Sequence, residues 1–199
     1  MKKRILLFTT LVTLFLIILI STYTNKSTIQ IENYNGSKLN IGIIGTKPNT
    51  QFNNVIFHQL ELQDIGENKQ QYDAFMLTEE VFQEASLPEN KGVFFRGNLK
   101  TPVFFIGLYK PYWIFAYDFG KTYNEELSYD YMGHTQGFLM MEDGSIRTWT
   151  ISLKNYEKNE ENIYDMYLNL FSLIEDIKYG NLANPVNDDP EAIIRYENY

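Results

Sequence analysis

The residues best suited to chemistry lie in one acidic and aromatic stretch, residues 118–134. The candidate ligand-binding residues in it are Tyr123, Glu126, Tyr129, Asp130 and His134. Aromatic rings can stack on sugar rings, and carboxylates can chelate a cation or perform acid–base chemistry on a glycoside. The stretch therefore indicates a small-ligand or carbohydrate site, or a weak hydrolase. The alternative is a solvated acidic loop whose tyrosines pack against a sheet.

More specific catalytic motifs are missing from the sequence. His58 and His134 stand apart, whereas a helical zinc site needs two histidines one turn apart. There is no cysteine, which excludes a thiol nucleophile, and no Gly-x-Ser-x-Gly turn. Gly42 and Gly45 are a weak match to a glycine-rich phosphate-binding loop. Pro48 and the lack of a following helix argue against such a loop. The sequence thus predicts no metal and no cofactor, and it favours a binding protein over an enzyme.

The charge balance argues against nucleic acid as a partner. The chain has 25 acidic and 17 basic residues, for a formal net charge of −8. Three of the basic residues, Lys2, Lys3 and Arg4, stand at the N-terminus, so the remainder is more acidic still. Such a surface repels the phosphate backbone.

The N-terminus predicts a membrane helix at residues 1–23. Its basic start is followed by an uncharged run from Ile5 to Tyr23 that spans roughly 28 Å, close to the thickness of a bilayer core. The basic end should stay in the cytoplasm, which places the rest of the chain outside a single-pass anchor in the cell membrane. A signal peptide cleaved near Thr24 is the alternative, although the sequence there fits a cleavage site poorly.

The rest of the chain predicts one domain. A polar stalk at residues 24–38 leads to an extracytoplasmic α+β domain at 39–180, and a solvated tail follows at 181–199. The predicted strands are 39–44, 55–62, 73–77, 102–109, 112–117, 133–141 and 146–151, and the predicted helices are 78–85 and 160–179. Asp143-Gly144 between two apolar runs predicts a hairpin. The expected fold is a mostly antiparallel sheet with an α/β-like N-terminal part and one long C-terminal helix packed on it.

Two functions from different classes remain open. The first is a non-enzymatic binding or accessory module, immunity-like, at a bacterial cell surface, with a protein partner there. The second is a small-ligand or carbohydrate-binding domain, or a weak hydrolase, that uses residues 118–134. If the five candidate residues meet in one concave pocket, the second hypothesis is favoured.

Overall fold

The computed structural model describes residues 33–67, 72–94, 99–116, 120–129, 132–141, 146–181 and 194–198. These ranges cover the end of the predicted stalk, most of the predicted domain and part of the predicted tail. The predicted membrane helix at residues 1–23 and the hairpin turn at 142–145 lie outside them. Within the described ranges, no helix is long and apolar enough to cross a membrane.

Seven strands of the described residues form one mixed sheet. They are β1 (Leu39–Ile44), β2 (Val55–Gln59), β3 (Ala74–Thr78), β4 (Val103–Ile106), β5 (Thr135–Met140), β6 (Ile146–Ile151) and β7 (Ile194–Asn198), in the spatial order β2-β1-β3-β4-β5-β6-β7. The β1–β2, β1–β3 and β3–β4 pairs are parallel, and the remaining pairs are antiparallel.

The α+β prediction is confirmed, but the sheet is mixed rather than mostly antiparallel. The difference arises at β4, which was expected among the antiparallel strands and instead pairs parallel to β3. β4 is buried along its whole length, as is β3. Continuous burial of this kind is typical of parallel strands that are covered on both faces.

One long helix covers one face of the sheet. This helix, α4 (Glu160–Lys178), follows the three single-turn helices α1 (Asp64–Glu67), α2 (Phe82–Ala85) and α3 (Trp113–Ala116). The predicted helix at 160–179 is confirmed. Asn159 caps its start by accepting a hydrogen bond from the Asn162 amide at 2.9 Å. Its buried side chains, which include Leu170 and Phe171, pack in one core cluster with β1 and Phe104 of β4.

The short elements cover the opposite face. There Phe105 of β4 stacks on Phe115 of α3 with ring centroids 4.4 Å apart. Phe104 and Phe105 belong to two separate core clusters, because successive side chains of a strand point to opposite faces. Burial of the sheet on both sides therefore explains Phe104, Phe105 and Phe115 of the aromatic stretch, whereas Trp113 is exposed and Tyr117 lies outside the described residues.

Three local predictions differ from the structure. The helix expected at 78–85 is a 3₁₀ turn at Glu79–Val81 followed by α2, and Thr78 ends β3 without capping a helix through its side chain. Residues 112–117 were expected as a strand, but α3 forms there. The amides of Ile114 and Phe115 bond back to the carbonyls of Pro111 and Tyr112, and proline favours the start of a turn. In the range expected as a solvated tail, Ile194–Asn198 forms β7 against β6.

Candidate functional site

Three chain segments meet at the edge of the sheet where the parallel strands end. In open sheets with parallel strands, ligands bind outside the carboxyl ends of the strands. β5 runs antiparallel to β4, and β6 runs antiparallel to β5, so β5 begins and β6 ends at this same edge. Thr135, the first residue of β5, pairs with Ile106 on one side and Ile151 on the other. The segments that leave β4 and β6 and the one that enters β5 therefore lie together.

Backbone hydrogen bonds hold His134 at the centre of this edge. Its amide donates to the Ile151 carbonyl at 3.1 Å, and its carbonyl accepts from the Gly107 and Leu108 amides at 2.8 and 3.0 Å. The preceding Gly133 has a φ of +76°, and a Cβ atom there would lie 2.4 Å from a side chain of β6. Both the positive φ and the lack of space for a Cβ atom require glycine at this position. The position of the His134 ring is thus fixed by the end of the sheet.

A pocket of about 370 Å³ opens beside His134. The described residues that line it are Tyr109, Gly133, His134, Leu153 and Tyr156. Only 4% of the surface of His134 is accessible, and its ring meets that of Tyr109 edge to face with centroids 5.7 Å apart. The pocket therefore combines aromatic and aliphatic walls with one deeply placed imidazole, as small-molecule sites commonly do.

The His134 imidazole is uncharged at neutral pH. Burial, with the positive charge of Lys158 as a second cause, lowers its pKa from 6.5 to about 4. The Thr135 hydroxyl lies 3.2 Å from Nδ1 of His134 and donates to the Met166 sulfur at 3.1 Å. Nδ1, the Thr135 hydroxyl and the Met166 sulfur all have a hydrogen-bond partner when Nδ1 carries the proton and donates a hydrogen bond to the Thr135 oxygen. Nε2 is then a hydrogen-bond acceptor that is free to meet a ligand.

A strained turn holds Tyr156 at the pocket. Asn155 and Tyr156 have φ angles of 52° and 58°, and left-handed backbone costs a residue other than glycine about 1–2 kcal/mol. The buried Asn162 amide group offsets this cost by donating to the carbonyls of Lys154 at 3.0 Å and Glu157 at 2.8 Å. Strain that is held in place by surrounding contacts is more common at functional sites than elsewhere.

Tyr123, the first predicted site residue, packs elsewhere. Its ring lies 5.3 Å from that of Phe82, and the ammonium group of the buried Lys110 lies 4.1 Å from its centroid. The same ammonium group donates a hydrogen bond to the Tyr123 carbonyl. Burial, and then the charge of Glu79, raises the pKa of its phenol. These contacts explain Tyr123 as an anchor of its loop.

Glu126 lies in the same loop and is engaged with its neighbours. One carboxylate oxygen accepts from the Leu127 amide at 3.0 Å, and the other lies 3.3 Å from the Lys121 ammonium group. The hydrogen bond from Leu127 is the largest of the causes that lower the Glu126 pKa. The pair with Lys121 is an exposed surface salt bridge, and such pairs contribute little to stability.

Tyr129 is joined to the pocket through its backbone. Its amide donates to the carbonyl of the pocket residue Tyr109 at 2.7 Å. Asp130 lies outside the described residues. Of the four predicted site residues that the structure describes, His134 lines the pocket and Tyr129 adjoins it, whereas Tyr123 and Glu126 contact other parts of the domain.

The prediction from sequence missed Tyr109, Leu153 and Tyr156. Gly133 directly before His134 was a usable signal, because a glycine that enters a strand often marks a special backbone conformation. Tyr156 has no comparable signal, because it reaches the pocket only through the antiparallel pairing of β5 with β6.

The described residues include no group of three or more His, Cys, Asp or Glu side chains that could hold a metal ion. A second polar cluster lies where β1 and β3 end, but its groups bond to one another. The Thr78 hydroxyl accepts from the Thr46 amide at 2.9 Å. Burial acts to raise the pKa of Glu80, but hydrogen bonds from Thr46 and Thr78 outweigh burial and lower it. The His134 pocket is therefore the better candidate for a ligand site.

Comparison of the chain with protein-family models, with curated proteins and with solved structures finds no match. The function must consequently be inferred from the chemistry of the site.

Proposed function

We propose that this protein is a membrane-tethered, extracytoplasmic binding domain that takes a small molecule into the pocket beside His134. The observation that carries the proposal is the buried, uncharged imidazole in a pocket at the carboxyl edge of the parallel strands. Such a group fixes the orientation of a ligand by a single directed hydrogen bond, while the tyrosine and leucine walls supply apolar contact.

The lining of the pocket favours binding over catalysis. A histidine acts as a general base most effectively when its pKa is near the working pH, and that of His134 is lowered to about 4. The described lining residues include no carboxylate to orient the imidazole and no serine or threonine to act as a nucleophile. The site is therefore suited to holding a molecule unchanged.

The tether is proposed from the sequence. The basic residues Lys2, Lys3 and Arg4 and the apolar run at 5–23 favour a single-pass anchor with a cytoplasmic N-terminus. A receptor or an accessory protein fits this arrangement, since the domain would meet molecules outside the cell. Protease treatment of intact protoplasts should remove residues 38–199 and spare the helix, whereas a released domain would contradict the tether.

Histidine labelling tests the binding proposal directly. The chain has two histidines, so the full-length protein in detergent, labelled with ¹⁵N-histidine, gives two imidazole spin systems. A library of small uncharged, anionic and cationic compounds is added in turn. We expect a subset to shift His134 and leave His58 in place, because His58 lies on β2 outside the pocket lining. If no compound of any charge moves His134, the proposed function is wrong.

A protein partner at the cell surface is the second candidate function. It rests on the proposed extracytoplasmic location, and Leu127, an apolar side chain with 67% of its surface accessible on the loop that follows Tyr123, is the contact to test. Crosslinking from intact membranes, followed by identification of the captured protein, tests this role. A Leu127→Ser variant is the matched control, and equal capture by both forms would contradict a contact through this loop.

A further inference from the structure

We propose that the ligand of the His134 pocket is an uncharged sugar unit that stacks on Tyr156 and donates a hydroxyl hydrogen bond to His134. This inference rests on the proposed function and names the ligand class of the same pocket. Four features of the pocket support it: the uncharged side chains of its described lining, the acceptor nitrogen, the aromatic ring of Tyr156 and the volume.

The described lining of the pocket carries no formal charge. Tyr109, Gly133, Leu153 and Tyr156 are uncharged side chains, and the His134 imidazole is uncharged as well at neutral pH. A charged ligand would lose hydration on entry, and the described lining itself offers no opposite charge in return; the charge of Lys158 acts from an exposed side chain outside that lining. The described lining therefore favours an uncharged molecule.

The acceptor character of His134 selects a molecule that brings a hydrogen-bond donor. Because Nδ1 is engaged with the Thr135 hydroxyl, Nε2 offers its lone pair to the pocket. A ligand without a donor would leave this buried acceptor unpaired, which opposes binding. Sugar hydroxyl groups supply such a donor.

Tyr156 provides a ring on a turn whose backbone is set before the ligand arrives. Asn155 and Tyr156 are both in the left-handed region, and the Asn162 amide holds the carbonyls on either side of them. The Tyr156 side chain remains 59% exposed although it lines the pocket. A tyrosine has only two side-chain torsions, so an exposed ring on a fixed backbone can stack on a ligand at little cost in side-chain entropy.

The volume of the pocket fits a single ring. Even at about 30 Å³ for each non-hydrogen atom, the share of a whole water molecule in the liquid, roughly a dozen such atoms fit in 370 Å³. A hexose has no more atoms than this, so the pocket admits one. Its ring also presents an apolar face of C–H groups with hydroxyl groups at the rim, which matches an aromatic wall beside a hydrogen-bond acceptor.

Four sugars that share one type of ring but differ in charge test how the charge of the ligand affects binding. The probes are glucose and N-acetylglucosamine, which are uncharged, glucosamine, which is cationic, and glucuronate, which is anionic. The readout is the His134 imidazole signal of the labelled full-length chain at pH 7. We expect at least one uncharged sugar to shift His134 with saturation, and the charged pair to bind about tenfold more weakly or not at all.

Substitutions at Tyr156 test the stacking. Tyr156→Ala should weaken the binding of the uncharged sugar about tenfold, and Tyr156→Phe should keep it within about twofold, since the ring does the stacking. Tyr179→Ala is the matched control because Tyr179 is equally exposed, at 59%, at the other end of α4. Unchanged dispersion of the amide spectrum verifies that each variant is folded.

The outcomes separate this inference from the proposed function. If glucosamine or glucuronate shifts His134 and neither uncharged sugar does, the ligand class is wrong and the pocket remains a binding site. The same conclusion follows if library compounds shift His134 and none of the four sugars does. Equal weakening by Tyr156→Ala and Tyr179→Ala would overturn the role of Tyr156 even where a sugar binds.

Discussion

Acidification should destabilise this domain through His134. The imidazole has a pKa of about 4 in the folded state and about 6.5 when unfolded. A depressed histidine pKa means that the unfolded state takes up the proton first, so stability falls as the pH drops from about 6.5 to about 4. At pH 4.5 this single group should lower the free energy of unfolding by about 2.5 kcal/mol relative to pH 7.5.

Urea unfolding of the full-length chain in mild detergent measures this effect. The comparison is between the wild type and His134→Gln, each at pH 7.5 and pH 4.5. Carboxylates with a lowered pKa, such as Glu126 and Glu175, lose stabilisation on acidification in both proteins, so they cancel in the difference. The wild type should lose about 2.5 kcal/mol more than the variant.

An equal loss in the two proteins would contradict this prediction. It would mean that the pKa of His134 is the same in the folded and unfolded states. A direct titration of the labelled imidazole checks the folded-state pKa, because we expect His134 to stay neutral down to about pH 5. A variant that is merely less stable at both pH values leaves the predicted difference intact.

Three further substitutions test the packing of the domain. Gly137→Ala should cost about 1–3 kcal/mol of stability in thermal or urea unfolding, because its Cβ would lie 2.2 Å from the Phe104 ring; no loss would mean that the sheet adjusts there. Tyr34→Phe should cost about 1 kcal/mol, since it removes the 2.9 Å hydrogen bond to Glu175, and an unchanged midpoint would show that this bond contributes nothing. Asn162→Ala removes two hydrogen bonds to the turn after β6, so it should both lower stability by about 1–3 kcal/mol and weaken ligand binding. Loss of stability with unchanged binding would separate that turn from the pocket.

The sequence was informative where local patterns decide the structure. The apolar spacing over residues 160–179 predicts α4 because a helix buries every third or fourth residue, and the capping Asn159 and Gly180 bound it. The strands at 39–44 and 146–151 were likewise predicted, since each is set by its own run of residues.

The sequence was less informative where tertiary contacts decide. The run at 112–117 has the composition of a strand, but packing of Phe115 on Phe105 and the turn from Pro111 make residues 113–116 a helix. The direction of β4 depends on its neighbour β3, which no pattern within β4 reveals.

Only part of the candidate site was predicted, because tertiary contacts also decide which residues meet there. His134 stands in the stretch that the sequence singled out, whereas Tyr109 and Tyr156 come from segments 25 and 22 residues away in the chain. Register within the sheet brings them together. Residue type alone also led to the prediction of Tyr123 and Glu126 as site residues. Their contacts with Phe82 and Lys121 instead give both residues a structural role.

The most direct test of the central claim is to locate a bound ligand. The full-length protein would be crystallised from detergent and soaked with the compound that shifts His134 most strongly. We expect ligand density against Tyr109 and Tyr156, with a donor atom about 2.7–3.2 Å from Nε2 of His134. Ligand density elsewhere on the domain, with this pocket holding only water, would contradict it.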